Sequence, residues 1–302
     1  MSNVSALPLS PGTLKEMVRS LLYIAVFGLL FCACRKDKVE LDNMHLIGVT
    51  NEKAIEVNLK SGTSREFNIG CYVFTSCVYD KKTNGYGYVS CDSVFHLFDP
   101  NTGKSIINFP LPALLSEVTI DTSQYEIIGL HWIDTIAYVL RADLSNGDIL
   151  SDNQISLGGD VNASMYFFNP STNLYNILRI DSTLLSIDPN TGTIVNQIPF
   201  TTLLTTTIYD PENEKLIGVS YINSVNYVSV VDIHTGALDS QYEIEEQFTF
   251  FGNVASYDPL TNSLILVNNK LEVKFIDINS GQITDTYPIG YGLTELQFWR
   301  DN

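Results

Sequence analysis

The groups best able to do chemistry in this chain are oxygens. It holds 34 Asp and Glu against 17 Lys and Arg, with only 4 His and 5 Cys. One polar set recurs at a fixed offset: Thr75, Ser116, Ser164, Thr205, Asn253 and Glu295 each stand five residues before a recurring turn position, at Asp80, Asp121, Asn169, Asp210, Asp258 and Arg300. Six such side chains around a common axis could hold an ion or a polar ligand. The plainer reading is the lining of a water-filled channel, and Glu295→Gln should then be tolerated. Glu295 is the one carboxylate of the set and Asn253 the one amide. Glu117 lies one residue out of register, so the two-residue period of a strand should turn it away. One carboxylate is thin for a hard cation, which takes about six to eight oxygens. His45, His96, His131 and His234 show no metal-ligand spacing, and no nucleophile–His–acid set is visible. No phosphate-cradling glycine loop of the G-x-x-x-x-G-K-[ST] kind occurs.

Aromatic side chains form a second set. Tyr72, Phe74, Phe200, Phe248, Phe250, Phe251 and Tyr291 fall in one series of connecting segments, and Trp132 and Tyr221 in another. Rings exposed on one face suit a protein partner or a sugar; the same rings could instead cap the core at the strand ends. Cys71, Cys77 and Cys91 fall within one repeat. A Cys71–Cys91 bridge would link two neighbouring strand ends, with Cys77 buried in mid-strand.

These residues are positioned by a repeat. An apolar residue, Asp or Asn, two further residues, then Ser, Thr or Asn, then Gly recurs as VNLKSG, FDPNTG, ADLSNG, IDPNTG, VDIHTG and IDINSG. The glycines, at 62, 103, 147, 192, 236 and 281, stand 41 to 45 residues apart. The element reads as a tight hairpin turn, with Asp accepting from the following N–H groups and Gly supplying positive φ. A calcium loop would need several acids at alternate positions, and most copies have one. A second turn alternates with the first, preceded by Tyr79, Ile120, Phe168, Tyr209, Tyr257 and Trp299. A third carries Asn51, Asp92, Asp134, Asp181, Asn223 and Asn269. Four short strands per repeat, named a to d from the inside outward, predict an all-β propeller. The first copy lacks its a strand, and the C-terminal TELQFWRDN is an a strand without its b, c and d. The two fragments complete one blade of six, with residues 293–299 pairing residues 45–50.

Repeats of this D-x-x-T-G form resemble the YVTN and quinoprotein-like propellers and, more distantly, WD40 repeats, over residues 44–302. That resemblance implies an architecture and leaves function open, because propellers host many activities. The tryptophan-rich motifs of quinoprotein dehydrogenases are missing, with Trp132 and Trp299 the only two, so no quinone or other cofactor is expected. Six-bladed lactonases of the gluconolactonase type offer the enzyme comparison, a channel metal held by carboxylates and an Asn. Only Glu295 and Asn253 match that donor set.

The N-terminal region carries an address. Leu21 to Ala33 is continuously apolar over 13 residues, short of the roughly 20 that span a bilayer and right for a signal-peptide core. Arg19 precedes it. Phe31-Cys32-Ala33-Cys34 resembles the lipobox of bacterial lipoproteins, which makes Cys34 the lipidated residue. Phe31 and Cys32 depart from the usual Leu and small residue. Met17 makes a cleaner start than Met1, so residues 1–33 read as a signal peptide and residues 34–43 as a tether. The formal charge of −17 disfavours nucleic acid. The expectation is a monomeric, lipid-anchored propeller at the outer membrane or cell surface, binding or scaffolding a protein or glycan. The alternative is a channel-centred metal-dependent hydrolase or lyase.

Overall fold

A computed structural model describes residues 44–155, 163–246, 248 and 255–300. The signal segment, Cys34 and the tether lie outside the described residues. All described strands belong to one unit, Asn43–Asn302. The chain begins with β1 (Met44–Thr50), β2 (Lys53–Asn58) and β3 (Ser64–Asn68). Five complete four-strand blades follow. They are β4 (Val78–Asp80) to β7 (Ser105–Pro110) through β5 (Gly85–Val89) and β6 (Val94–Phe98); β8 (Ser116–Asp121) to β11 (Ile149–Gln154) through β9 (Glu126–Ile133) and β10 (Ile136–Asp143); and β12 (Ala163–Asn169) to β15 (Thr193–Pro199) through β13 (Leu174–Arg179) and β14 (Thr183–Asp188). Next come β16 (Thr206–Asp210), β17 (Lys215–Ile222), β18 (Val225–Asp232) and β19 (Leu238–Glu243), then β20 (Ala255–Asp258), β21 (Ser263–Val267), β22 (Glu272–Asp277) and β23 (Ile283–Pro288). The last strand, β24 (Thr294–Arg300), joins the first three in the order β24-β1-β2-β3. The result is six antiparallel sheets of four strands in a ring.

Packing explains why the b and c strands read as nearly unbroken apolar runs. Successive residues of a strand point to opposite faces, and here each face meets a neighbouring blade. On β1, Leu46 enters the core shared with the sixth blade, β20–β23, while Ile47 enters the core shared with the second, β4–β7. Six such cores exist, one at each blade boundary. The d strands lie outermost and are largely exposed.

The recurring Asp–Gly turn does two jobs. At Asp232, Oδ1 accepts from His234 N (3.0 Å) and Thr235 N (2.9 Å), and Gly236 closes the turn on the Asp232 carbonyl at 2.9 Å. Gly236 has φ 69°, and a Cβ there would lie 2.3 Å from the Pro199 carbonyl of the preceding blade. A side chain is therefore excluded both by backbone conformation and by the neighbour's backbone. Asp232 Oδ1 is consumed inside its own turn, while Oδ2 accepts from Lys215 Nζ at 2.5 Å.

Closure follows the terminal register closely. His45 pairs Trp299, Leu46 pairs Phe298, Ile47 pairs Gln297 and Val49 pairs Thr294. That ladder corrects one alignment: Phe298, opposite Leu46, holds the place that Tyr79 holds opposite Tyr86 and Ile120 holds opposite Ile127. Trp299 stands one place further on, at the position of Asp80, where its ring stacks between His45 (5.2 Å) and Tyr79 (5.4 Å).

Deleting residues 294–302 removes Leu296, Phe298 and Trp299 from two blade interfaces and leaves β1 as an open edge. At roughly 1.5–3 kcal/mol per large buried side chain, the loss approaches the roughly 5–15 kcal/mol that holds a domain folded. The truncated chain should show no cooperative thermal transition by circular dichroism. A melting temperature within a few degrees of the intact protein would contradict closure by this strand.

Candidate functional site

The six a strands, β4, β8, β12, β16, β20 and β24, surround an axial cavity of about 990 Å³. Its two ends differ in how their acids are used. At the end of the a–b turns, Asp80, Asp121, Asp210 and Asp258 are buried and each accepts from an N–H two residues on, of Lys82, Ser123, Glu212 and Leu260. Arg300 pairs Asp258 at 2.5 Å. Each of these carboxylates caps its own turn through at least one oxygen, and Asp121 Oδ2 is buried without a partner among the described residues.

The other end, where d–a and b–c connections meet, is different. Strands β24, β8 and β12 begin there with a bulge. On β24, Thr294 pairs Val49 and Gln297 pairs Ile47, so Glu295 and Leu296 together face the single residue Gly48. On β8, Ser116 pairs Leu130 and Thr119 pairs Ile128, so Glu117 and Val118 face Gly129. The glycines are needed for space. A Cβ on Gly48 would lie 2.8 Å from the Thr294 carbonyl, and one on Gly129 would lie 3.1 Å from the Ser116 carbonyl. Both glutamates take the left-handed backbone, φ 53° at Glu295 and 47° at Glu117.

This geometry corrects the polar ring. Counted by ladder register rather than from the turn, the equivalent of Glu295 is Glu117, not Ser116. The bulge, which strand alternation cannot foresee, brings Glu117 to the cavity wall instead of turning it away. A tyrosine from the next blade clamps each bulge: Tyr86 Oη donates to the Glu295 carbonyl at 3.1 Å, and Tyr175 Oη to the Glu117 carbonyl at 2.5 Å. Thr75, with φ 66°, lies in the blade between them; its Oγ1 accepts from Glu117 N at 3.3 Å.

Glu295 is not a solvated lining residue either. It is 1% exposed, and neither carboxylate oxygen has a hydrogen-bond partner among the described residues. Burial pushes its carboxyl up to about 8. The Thr75 N–H pulls the other way without reaching hydrogen-bond geometry, and the Glu117 charge adds to the rise. Glu117 is also raised, by burial, against the opposing bonds from Ser116 and Thr75. Cys77, buried behind Glu295, is held as the neutral thiol by burial and by the Glu295 charge.

The remaining sequence candidates scatter. Thr205 Oγ1 is spent on the Val219 carbonyl at 2.9 Å. Ser116 donates to the Glu117 carboxylate. Tyr291 bonds Ser64 at 3.1 Å and packs against the core between the sixth blade and β1–β3. Asn253, Phe250 and Phe251 lie outside the described residues, as does the side chain of Ser164. Cys71 and Cys91 form a disulfide with Cα atoms 5.5 Å apart, and Cys77 is a free, buried thiol. His131 pairs Asp152 at 2.8 Å and stacks on Tyr138. Among the described residues no three His, Cys, Asp or Glu converge as a metal cluster.

The two faces of the ring are unlike. The d–a and b–c connections expose Phe74, Leu114, Trp132, Ile133, Ile136, Ile180, Leu203, Tyr221, Ile222 and Leu271. Tyr221 is 57% exposed and Trp132 40%. At the opposite face Leu260 is exposed in an a–b turn, and Ile106, Ile149, Leu150 and Leu238 are exposed at the first strand positions after c–d turns.

No family profile matches the chain, and no curated protein matches it. Solved structures do. A chain in the crystal structure of a nidogen/laminin complex is similar with a TM-score of 0.60 and 13% identity, over 84% of this chain and 98% of that one. The dihydro-heme d1 dehydrogenase NirN in complex with DHE is similar at 0.51 and 9%, over 84% of this chain and 65% of that one. At such identities the likeness shows the fold.

Because Glu295 keeps its proton in the folded state up to about pH 8 while an unfolded Glu releases it near 4.3, the native state binds more protons throughout that window. Stability must therefore fall as pH rises through it, and level off above it. Glu295→Gln should remove this fall. In chelator-treated buffer the variant should match wild type near pH 4 and exceed it at pH 9, by on the order of a few kcal/mol, in urea unfolding. Equal stability at both pH values would contradict the burial described here.

Proposed function

We propose that this chain is an envelope-anchored propeller that docks a protein partner through the face carrying Trp132 and Tyr221. The observation that carries the reading is the asymmetry of the faces. One exposes ten large apolar side chains, Trp132 and Tyr221 among them, and the other five, none of them aromatic. Scattered exposed apolar residues need no explanation, but a set concentrated on one face and carrying its exposed rings marks an interaction surface. Trp and Tyr supply the amphipathic contact area that binding centres favour. The likeness to a chain of a protein–protein complex supports the same direction. Tyr and Trp also suit a glycan, which is the competing occupant. The anchor rests on the apolar run 21–33 and Cys34; lipidation there would hold the propeller at the outer membrane or cell surface.

Two measurements test this. A photo-crosslinking residue at Trp132 or Tyr221 should yield discrete protein adducts in cells, and the same residue at Leu260 should not. Adducts of equal yield from both faces, or none from either, would contradict a docking face. Cys34→Ala should release the protein from the membrane fraction and abolish labelling by a fatty-acid analogue; unchanged labelling would contradict the anchor.

A further inference from the structure

The channel end that carries Glu295 contains a buried carboxyl that has no partner among the described residues. Tyr72, Cys77 and Tyr86 from the second blade, Glu117 from the third and Tyr166 from the fourth interact with it electrostatically. None of these five is a cation. Two other buried acids meet a cation, Glu126 at Arg141 and Asp258 at Arg300, and Asp121, which leaves Oδ2 without a partner, still accepts turn N–H groups at Oδ1. Glu295 differs in that neither of its buried oxygens has a partner among the described residues.

A second observation points to the same place. Three consecutive blades hold a non-glycine residue in the left-handed region at their channel ends: Glu295 at φ 53°, Thr75 at 66° and Glu117 at 47°. Such backbone is strained and persists where surrounding structure enforces it, commonly at ligand sites. Here Tyr86 and Tyr175 enforce it through the carbonyls, and Gly48 and Gly129 make room for it. The fold thus maintains two strained bulges whose shared consequence is a pair of carboxylates beside a threonine.

We propose that this end of the channel binds a hard metal cation of the calcium class between the carboxylates of Glu295 and Glu117, with the Thr75 hydroxyl as a neutral oxygen ligand. The donor set selects the ion class. Its oxygens suit calcium or magnesium. The Glu295 oxygens are out of reach of bulk water, so their partner is an ion or a proton rather than an organic group. Remaining coordination positions fall to water from the cavity that Glu117 and Thr75 line. Cation and proton compete for one carboxyl, so affinity rises with pH. The proposal does not depend on the docking face.

Terbium tests it, because a bound lanthanide near Tyr72, Tyr86 and Tyr166 is sensitised by tyrosine excitation. At pH 8 the wild-type protein should give saturable terbium emission that calcium displaces. Glu295→Gln and Glu117→Gln should each weaken it more than about tenfold, whereas Glu212→Gln, at the far end of the channel, should leave it unchanged. Absence of saturable emission in wild type, emission that survives in Glu295→Gln, or equal loss in Glu212→Gln would each overturn the proposal. If the channel variants fail to fold, calcium titration of wild type in buffers of different ionisation enthalpy decides. Calcium should release close to one proton at pH 7 and far less at pH 9; release that is absent or independent of pH would overturn it.

Discussion

Everything in this structure depends on one backbone ladder, the pairing of β24 with β1. Each blade buries both faces against its neighbours, so an unfinished ring would leave two apolar sheet faces and an open edge in water. Joining the last strand to the first three removes all of these together. The same strand carries Glu295 and brings it to within one blade of Glu117. The chain is more than 170 residues long between these two acids, and closure alone makes them neighbours.

The two ends of the channel use the same residue type in opposite ways. At the a–b turns an Asp is buried but engaged, because its own turn presents an N–H group two residues on. At the other end a Glu is buried by a bulge, with no donor among the described residues to meet it. Buried acids of the first kind stabilise their turns. One of the second kind destabilises the ionised protein until a proton or a cation answers it. The apolar face lies around this end, so partner docking and the carboxyl pair share one side of the molecule while drawing on different residues.

Much of this was legible in the sequence, and the boundary of what was not has physical causes. Six glycines at near-constant spacing, and half-blades at the two ends, are enough to count the blades and name the closing strands. The carboxyl pair was half visible. Glu295 stood out as the acid of the ring, but Ser116 was taken as its equivalent because both precede a turn by five residues. The terminal copy has no Asp at its turn, so counting back from Arg300 shifted the alignment by one. Alternation then turned Glu117 the wrong way, since a two-residue period breaks at a bulge. LIGV at Leu46–Val49 and IIGL at Ile127–Leu130 each place a glycine opposite a bulge, yet LIGV recurs at Leu216–Val219, where Gly218 faces Thr207 alone. A glycine in the b strand therefore does not by itself announce the bulge. Burial of Glu295 arises only in the closed ring and has no local signature.

At the head of the channel sits a carboxyl that is buried and has no partner among the described residues. Carbon-13 NMR of protein labelled at the glutamate side-chain carboxyl reports it directly, with the Glu295 resonance assigned as the one missing from Glu295→Gln. The account predicts that this resonance titrates near pH 8 in metal-free buffer and moves to a lower midpoint when calcium is added. A Glu295 midpoint in the ordinary range near 4.3, indifferent to calcium, would contradict it.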